Sequence, residues 1–309
     1  MKIVYMGTPD FAVAPLKALI EAGHTVTAVV TQPDKQKGRG KEISMTPVKE
    51  CALSYGIPVL QPVKIKTPEA IEELKAYEAD IFVVVAFGQI LSEEILNMPK
   101  YGCINLHASL LPKYRGAAPI QWAVLNGDQE SGVTIQQMEK GLDTGAMLSR
   151  VVVPLDRKET GESLHDKLMA AGAKLLVETL PLIEEGKITP EKQDESQALF
   201  YATKLDKAMG QIDWSKSAAE IERLIRGLNS WPSAYTHYRG KTLKLWEGDV
   251  LDQASPAVPG TVVEAGKDYF DVACGEGTLR VYEVQLEGKK RMQVRDFLLG
   301  YDIQGEQLT

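Results

Sequence analysis

The sequence predicts an α/β protein with a Rossmann-like, doubly wound and mostly parallel sheet in its N-terminal part and a small β-barrel in its C-terminal part. Strand-like and helix-like segments alternate through the first half of the 309-residue chain. A near-continuous apolar run at 80–88 is typical of a strand that is covered on both faces. From residue 233 onward, short β-type runs are separated by Gly, Asp and Pro, as in small barrels or sandwiches.

The elements of the first part follow in order along the chain. Thr8-Pro9 and Thr67-Pro68 each look like a helix cap followed by a proline in the first turn, and a third helical pattern runs from Thr160 to Glu185. The ligands of such a sheet bind at the carboxyl ends of its strands. The predicted strands are KIVYM (2–6), TVTAVV (25–30), DIFVVVAFG (80–88), GCINLH (102–107), GVTIQQM (132–138) and MLSRVVVPL (147–155).

The second part is set off by a polar stretch. GKITPEKQDESQA, at 186–198, is poor in large apolar residues and indicates a linker. A helix is predicted at 217–228, before the short strands. We therefore predict a first domain at 1–188, a linker at 189–206 and a second domain at 207–309.

The composition is that of a globular protein, with 44% hydrophobic and 25% charged residues and a net charge of −7. No apolar run approaches the roughly 20 residues that span a bilayer, and the amino terminus lacks signal-peptide features, so we expect a cytoplasmic protein without a membrane partner. We also expect a monomer. Three widely spaced cysteines and four scattered histidines predict neither a disulfide nor a metal site.

The charge is unevenly distributed along the chain. Residues 201–246 contain eight Lys or Arg against four Asp or Glu, whereas residues 151–200 contain six against ten. A net charge of −7 argues against binding nucleic acid with the whole surface. A polyanion could instead meet the basic segment and be repelled by the rest.

A second basic feature is the stretch TQPDKQKGRGKEISMTP at 31–47. A tight connection would suffice there, and loops of this length in compact domains are usually functional or disordered. It is either a solvated surface loop or a basic finger that contacts phosphate or a nucleobase. Arg39 is the best single candidate because its planar guanidinium can pair through two hydrogen bonds. The preceding MGTPDFA lacks the G-x-G-x-x-G glycines of a dinucleotide site.

The stretch INLHASLLPKYRGAAP at 104–119 ends a predicted core strand with polar side chains. Asn105 and His107 are two residues apart and therefore point to the same face of the strand. Asp143 lies in the turn GLDTG between two later strands. An amide, an imidazole and a carboxylate can supply oxyanion donors, a proton carrier and an orienting group for acyl transfer, although a lone buried histidine is more often structural. Ser109 has no G-x-S-x-G elbow around it, which argues against a serine hydrolase.

The stretches INLHASLLPKYRGAAP and GLDTGAM, with the spacing between them, resemble the folate-dependent formyltransferases. MGTPDFA, QPDKQKGRGK and WSKSAAEIERLIRGLNSWPSAY extend the resemblance over essentially the whole chain. The resemblance implies 10-formyltetrahydrofolate as the co-substrate and Asn105, His107 and Asp143 as the catalytic set. The folate cleft that it implies is lined by Phe87, Gly88, Gln89, Ile90, Leu91, Ser109, Leu110, Leu111 and Pro112.

The resemblance is closest to members of the family that formylate methionine carried by initiator tRNA. It implies that the Arg39 loop reaches the acceptor end and that the second domain, similar to an oligonucleotide-binding (OB) barrel, lies along the acceptor arm. The aromatic residues of 214–246 could stack on bases or simply fill the barrel. Two rivals stay open: formylation of an amino sugar on a nucleotide, and a non-catalytic RNA-binding module. The tRNA-contact candidates are Lys37, Arg39, Lys41, Lys204, Lys207, Arg239 and Lys241.

Overall fold

The protein is described here by a computed structural model that covers residues 1–37 and 42–309, without the side chains of Lys37 and Glu42. Its internal contacts divide this part of the chain into two compact units. Unit 1 contains Met1–Pro119, Glu130–Pro154 and His165–Ala202, and unit 2 contains Ile120–Gln129, Leu155–Leu164 and Thr203–Thr309.

Unit 1 is built on a seven-stranded sheet with a short hairpin and a two-stranded ribbon beside it. Its strands are β1 (Lys2–Gly7), β2 (Thr25–Val30), β3 (Lys35–Lys37), β4 (Glu42–Ser44), β5 (Val59–Leu60), β6 (Ile81–Val85), β7 (Cys103–His107), β8 (Arg115–Gly116), β9 (Glu130–Gln137), β10 (Met147–Pro154) and β11 (Tyr201–Ala202). The helices along residues 1–202 are α1 (Val13–Glu21), α2 (Pro47–Ser54), α3 (Pro68–Lys75), α4 (Glu93–Leu96), α5 (Pro119–Leu125) and α6 (Gly161–Glu184). Of these, α5 from Ile120 onward and the start of α6, up to Leu164, belong to unit 2.

The large sheet has the strand order β10-β9-β7-β6-β1-β2-β5. The five strands from β7 to β5 are parallel, which confirms the mostly parallel sheet, whereas β9 and β10 are antiparallel additions at one edge. The hairpin between β9 and β10 carries Asp143 in its loop. In register, Asn105 of β7 lies beside Val84 of β6 on one side and Gln136 of β9 on the other.

Two predicted helix starts can be compared with the structure. Thr67 caps α3, with Pro68 as its first residue, as predicted. The prediction of a helix start at Thr8-Pro9 is wrong, because a short 3-10 turn at Asp10–Ala12 precedes α1. The Thr8 hydroxyl instead donates to the Phe87 carbonyl at 2.9 Å, a partner that is distant in sequence.

The segment between α6 and unit 2 has tertiary contacts in unit 1. Glu191 pairs with Met147, and β11 pairs in parallel with β8. Gln193, in the middle of this polar stretch, is only 3% exposed. The domain boundaries at 188 and 207 stay predictions.

Unit 2 contains an antiparallel sheet and the helices α7 (Ala218–Gly227) and α8 (Val294–Phe297). Its strands are β12 (Ala234–Tyr238), β13 (Lys241–Leu251), β14 (Val262–Ala265), β15 (Phe270–Ala273), β16 (Thr278–Leu286) and β17 (Met292–Gln293). The order is β12-β13-β16-β15-β14, and β17 also pairs with β16. The antiparallel second domain is confirmed, while closure into an OB-like barrel stays a prediction.

The aromatic residues of unit 2 were expected either to fill its core or to stack on bases, and the structure shows which of them are buried. Trp214 and Tyr238 are buried in the apolar cluster with Phe270 and Phe297, so these two fill the core. Trp231 is 54% exposed and does not fill the core.

Ser217 begins α7 with a reciprocal capping pair to Glu220. In the described residues, no helix is long and apolar enough to cross a bilayer.

Candidate active site

The three predicted catalytic side chains lie at one end of the large sheet of unit 1. Asn105 and His107 occupy alternate positions of β7 and therefore share a face. Asp143 comes from the β9–β10 loop, and its Oδ1 atom lies 3.6 Å from His107 Nδ1. The carboxyl end of a parallel strand and an antiparallel hairpin thus bring an imidazole and a carboxylate together from 36 residues apart in sequence.

The His107 ring is held from its other nitrogen. Its Nε2 atom lies 2.9 Å from the Tyr114 carbonyl oxygen, and the side chain is almost fully buried. A carbonyl can only accept a hydrogen bond, so Nε2 carries a proton. Any further proton on the ring must therefore sit on Nδ1, which faces Asp143.

Asn105 is oriented by two neighbouring strands. Its Nδ2 atom donates to the Val84 carbonyl at 3.1 Å, and its Oδ1 atom accepts from Gln136 Nε2 at 3.3 Å. Gln136 also donates to Asp143 Oδ1 at 2.9 Å. Rotating the Gln136 amide by half a turn would place its oxygen against the Asp143 carboxylate, so the charge of Asp143 fixes which way both amides point.

Gln136 is a residue of this site that the sequence analysis missed. It is buried in a strand whose residues from Ser131 to Gln136 are all buried. A buried amide must find hydrogen-bond partners, and a glutamine in an apolar strand that leads to Asp143 was the available signal. Its partners could not be read from the sequence, because they depend on the register of β9 against β7.

The turn that carries Asp143 is tightly constructed. Asp143 has a positive φ of 54°, a conformation that Asp tolerates better than most residues. Its Oδ2 atom accepts from the Gly116 N–H at 2.9 Å. A Cβ atom at Gly145 would lie 1.7 Å from the Gln137 carbonyl oxygen, so this position requires glycine. The carboxylate is therefore fixed from both oxygens and by its own backbone.

A second glutamine supports this turn from the stretch that was predicted to be a linker. Gln193 Nε2 donates to the carbonyl oxygens of Asp143 and Gly145, at 2.8 Å each. Its Oε1 atom accepts from Arg115 Nε at 3.0 Å. The Arg115 guanidinium also pairs with both oxygens of Glu195 and thereby lowers the pKa of that carboxyl group.

The nine predicted folate-cleft residues differ in burial, and Gln89 is half-buried. Phe87, Leu91, Ser109, Leu111 and Pro112 are buried and support the loops. Gly88 and Ile90 are exposed, and Leu110 is half-buried, so these three residues have surface that is accessible to solvent.

Two polar members of the predicted cleft have bonds within the protein. The Ser109 hydroxyl donates to the Lys113 carbonyl at 2.6 Å. The Gln89 side chain accepts from the Ile65 N–H and donates to the Pro62 carbonyl. Their side chains therefore shape the loops around the cleft.

The tRNA-contact candidates also differ in their surroundings. Lys204, Lys207 and Lys241 are exposed. Arg239 is exposed too, but its guanidinium pairs with Glu306 at 2.5 Å and lies over the Tyr238 ring. Part of its charge is thus neutralised within unit 2. Arg39 and Lys41 lie outside the described residues, and the side chain of Lys37 is not described.

The three thiols are buried. Burial raises the pKa of Cys103 to about 12 and that of Cys274 to about 11, and it also raises the pKa of Cys51. At neutral pH these thiols are protonated and are poor nucleophiles. In the described part of the chain, no group of three His, Cys, Asp or Glu residues is placed to hold a metal ion.

Two protein-family models match the two parts of the chain. The formyl transferase model matches residues 1–180, and the model of the formyl transferase C-terminal domain matches residues 204–302. The chain belongs to the formyl transferase family. All three candidate catalytic residues lie within the first match.

Relatives of known name cover nearly the whole chain. A protein of Agathobacter rectalis named methionyl-tRNA formyltransferase is 57% identical over 306 residues, which are 98% of each chain. A protein of the same name from Caldanaerobacter subterraneus subsp. tengcongensis is 52% identical over 304 residues, again 98% of each chain. This similarity includes unit 2 as well as unit 1.

Solved structures share the fold at lower identity. WlaRD, a sugar 3N-formyl transferase crystallised in the presence of dTDP and 5-N-formyl-THF, matches with a TM-score of 0.68 and 21% identity, covering 94% of this chain and 99% of that one. HypX of Aquifex aeolicus in complex with tetrahydrofolic acid matches with a TM-score of 0.65 and 16% identity, covering 99% of this chain and 48% of that one. At these identities the likeness establishes the fold alone.

Proposed function

We propose that this chain transfers a formyl group from 10-formyltetrahydrofolate to the α-amine of methionine on initiator tRNA, giving N-formylmethionyl-tRNA for translation initiation. The observation that carries the proposal is the cluster of Asn105, His107 and Asp143 at the end of the parallel sheet. The cluster occurs in a chain that matches proteins named methionyl-tRNA formyltransferase over 98% of its length.

Asn105 is the residue that we propose to stabilise the formyl oxygen. When the amine attacks the formyl carbon, negative charge develops on that oxygen. One hydrogen of Asn105 Nδ2 donates to Val84, and the amide nitrogen has a second hydrogen that can donate to the substrate. Removing one such donor typically costs about 3–4 kcal/mol of transition-state stabilisation.

His107 and Asp143 are the groups that we propose to handle the proton of the amine. Because Nε2–H is used by Tyr114, His107 can donate to a substrate atom only through a protonated Nδ1. Asp143 Oδ1 lies 3.6 Å from this atom and would orient the ring in that state. The same carboxylate can instead accept the amine proton through a water molecule. Formyl transfer then forms the C–N bond to methionine and breaks the C–N bond to N10 of the folate. The proton that leaves the amine is balanced by the proton that N10 gains, and no covalent enzyme intermediate forms.

Two surfaces would hold the substrates. We propose that folate lies against the accessible residues of the predicted cleft, the exposed Gly88 and Ile90 and the half-buried Leu110, whose loops are supported by buried neighbours. We propose that Lys204, Lys207 and Lys241 meet the tRNA backbone, with Lys37, Arg39 and Lys41 of the basic loop at the acceptor end. Exposed lysines that lie in a basic segment attract phosphates even though the whole chain is acidic.

The two rivals are less well supported. A sugar formyl transferase shares the fold at 21% identity, whereas relatives at 57% identity are named for methionyl-tRNA. A non-catalytic RNA-binding module would not need the connected set of Asn105, Gln136 and Asp143. Charged initiator tRNA as acceptor also favours a cytoplasmic enzyme, which we propose to act as a monomer.

The direct test is to incubate the protein with 10-formyltetrahydrofolate labelled in the formyl group and with Met-tRNA. We expect the label in N-formylmethionine after hydrolysis of the ester. A nucleotide-linked amino sugar should accept no label under the same conditions. Label in the sugar but not in methionine would overturn the proposed substrate, and label in neither acceptor would favour the non-catalytic module.

A further inference from the structure

The polar segment 191–202 is linked to the turn that carries Asp143 in two ways, directly through Gln193 and indirectly through β8. Gln193 donates to the Asp143 and Gly145 carbonyl oxygens, at 2.8 Å each. Further along, β11 pairs with β8, and the Gly116 N–H of β8 donates to Asp143 Oδ2. One segment thus supports both the backbone and the carboxylate of the same aspartate.

The burial and the hydrogen bonds of Gln193 are those expected of a side chain that orients its neighbours. It is buried, and both its amide hydrogens and its oxygen are used, since Arg115 Nε donates to Oε1 at 3.0 Å. An arginine can only donate, so its contact fixes the oxygen of the amide and points the NH₂ group at the turn. Glu195 holds Arg115 in turn through two hydrogen bonds.

We propose that Gln193 is a positioning residue for the formyl transfer reaction, acting through Asp143. This inference rests on the proposed function, because it assigns Gln193 a part in the reaction that Asp143 serves. The turn needs such support because Asp143 has a positive φ, which is less favourable than an extended or helical conformation. Without the two hydrogen bonds from Gln193, the turn can relax and carry the carboxylate away from His107.

The substitution Gln193→Ala tests the role directly. We expect kcat to fall by up to about 100-fold, the size of effect that a shift of about 1 Å at a reacting group produces. The KM values for folate and for Met-tRNA should stay within about twofold, since Gln193 is proposed to touch neither. Gln197→Ala is the matched control, because Gln197 is an exposed glutamine of the same segment whose side chain donates, among the described residues, to the surface side chain of Asp194.

A second variant separates orientation from packing. Gln193→Glu keeps the size of the side chain and an acceptor for Arg115, but it removes both N–H donors and places an oxygen against two carbonyls. We expect it to lose kcat as strongly as Gln193→Ala. Wild-type kcat in Gln193→Glu would overturn the proposal, and so would an equal effect of Gln197→Ala. Circular dichroism and thermal unfolding would identify any variant that fails to fold.

A double-mutant cycle distinguishes positioning from general support of the fold. In an Asp143→Asn background, Gln193→Ala should cost little more in single-turnover rate, because the group that it positions is already disabled. An equal loss in both backgrounds would refute action through Asp143. The wild-type protein reports on the proposed function separately: if it formylated a different acceptor, the same cycle run with that acceptor would still test Gln193.

Discussion

His107 Nδ1 lies 3.6 Å from Asp143 Oδ1, while the other nitrogen of the same ring is bound to the Tyr114 carbonyl. Because the Tyr114 carbonyl accepts a hydrogen bond, Nε2 carries the proton of the neutral ring. A second proton would sit on Nδ1, the nitrogen that faces Asp143. A neutral His107 turns a lone pair toward Asp143, whereas a protonated ring turns an N–H toward it. The ring can therefore donate a hydrogen bond through Nδ1 only by gaining a proton.

This arrangement predicts the tautomer of His107. We expect ¹⁵N NMR to show a proton on Nε2 at every pH at which the protein is folded. His237 is the internal control, because its Nδ1 atom lies 3.1 Å from the main-chain oxygen of Thr309 and should carry the proton when the ring is neutral. A neutral His107 with its proton on Nδ1 would contradict the assigned geometry.

Substitution of the catalytic set should separate chemistry from tRNA binding. We expect Asn105→Ala to lower kcat by about 100- to 1,000-fold through loss of an oxyanion donor. His107→Ala and Asp143→Ala should abolish steady-state formyl transfer and leave at most a residual rate that single-turnover measurements detect. Filter binding should show nearly unchanged affinity for tRNA in all three variants, since these residues lie far in sequence from the basic segment. Near-normal rates in any of them would remove that residue from the mechanism.

Gln136 should matter for activity although it is nearly inaccessible to substrate. Gln136→Leu leaves the Asn105 oxygen and one Asp143 oxygen without their shared donor, so we expect kcat to fall by about tenfold, the effect of one hydrogen bond of about 1.4 kcal/mol. Gln137→Leu is the matched control. Gln137 lies on the opposite face of β9 and donates to the Cys103 carbonyl. Equal rates for both variants would mean that Gln136 does not orient Asn105.

Charge substitutions in unit 2 should report which basic residues meet tRNA. Lys241→Gln removes the charge of an exposed lysine, so tRNA affinity should fall and the slope of log K against log salt should decrease by about 1. Arg239→Gln should have a smaller effect, because Glu306 already pairs with that guanidinium. Measurements from low to high salt would check both. A larger effect at Arg239 than at Lys241 would show that the ion pair opens on binding.

The buried thiols predict loss of stability in alkali. Because the pKa of Cys103 is raised from 9.0 to about 12, unfolding releases its proton in the window between these values. The contribution of Cys103 to stability should therefore be complete below pH 9. Above pH 9, the free energy of unfolding should decrease by up to about 1.4 kcal/mol per pH unit. Urea titrations of the wild type and of Cys103→Ala would isolate this contribution. Parallel decreases in the two proteins would assign the effect to other groups.

Much of unit 1 could be predicted because its signals are local. The apolar strands TVTAVV and MLSRVVVPL, and the Thr67-Pro68 cap, depend on neighbouring residues alone and occur where expected. Alternation along a strand likewise placed Asn105 and His107 on one face. These patterns follow from backbone geometry, so no distant partner has to be known.

Other features depended on partners far away in sequence. Thr8 has the residue type of a helix cap but bonds to Phe87, so the predicted helix start failed. Gln193 sits in a stretch that reads as a linker, yet it is buried against the turn of Asp143. Composition reports the average polarity of a segment and cannot identify the one residue that is turned inward.

The sequence by itself determined the class of fold, the residue types of the candidate site and the family to which the chain belongs. Only the tertiary structure decided which nitrogen of His107 faces Asp143 and which two glutamines orient the site. The physical reason is the sequence distance between the interacting groups. The periodicity of a strand or a helix is determined within a few residues. A hydrogen bond such as that from Gln193 to Asp143 instead joins groups 50 positions apart, and it forms only after the chain has folded.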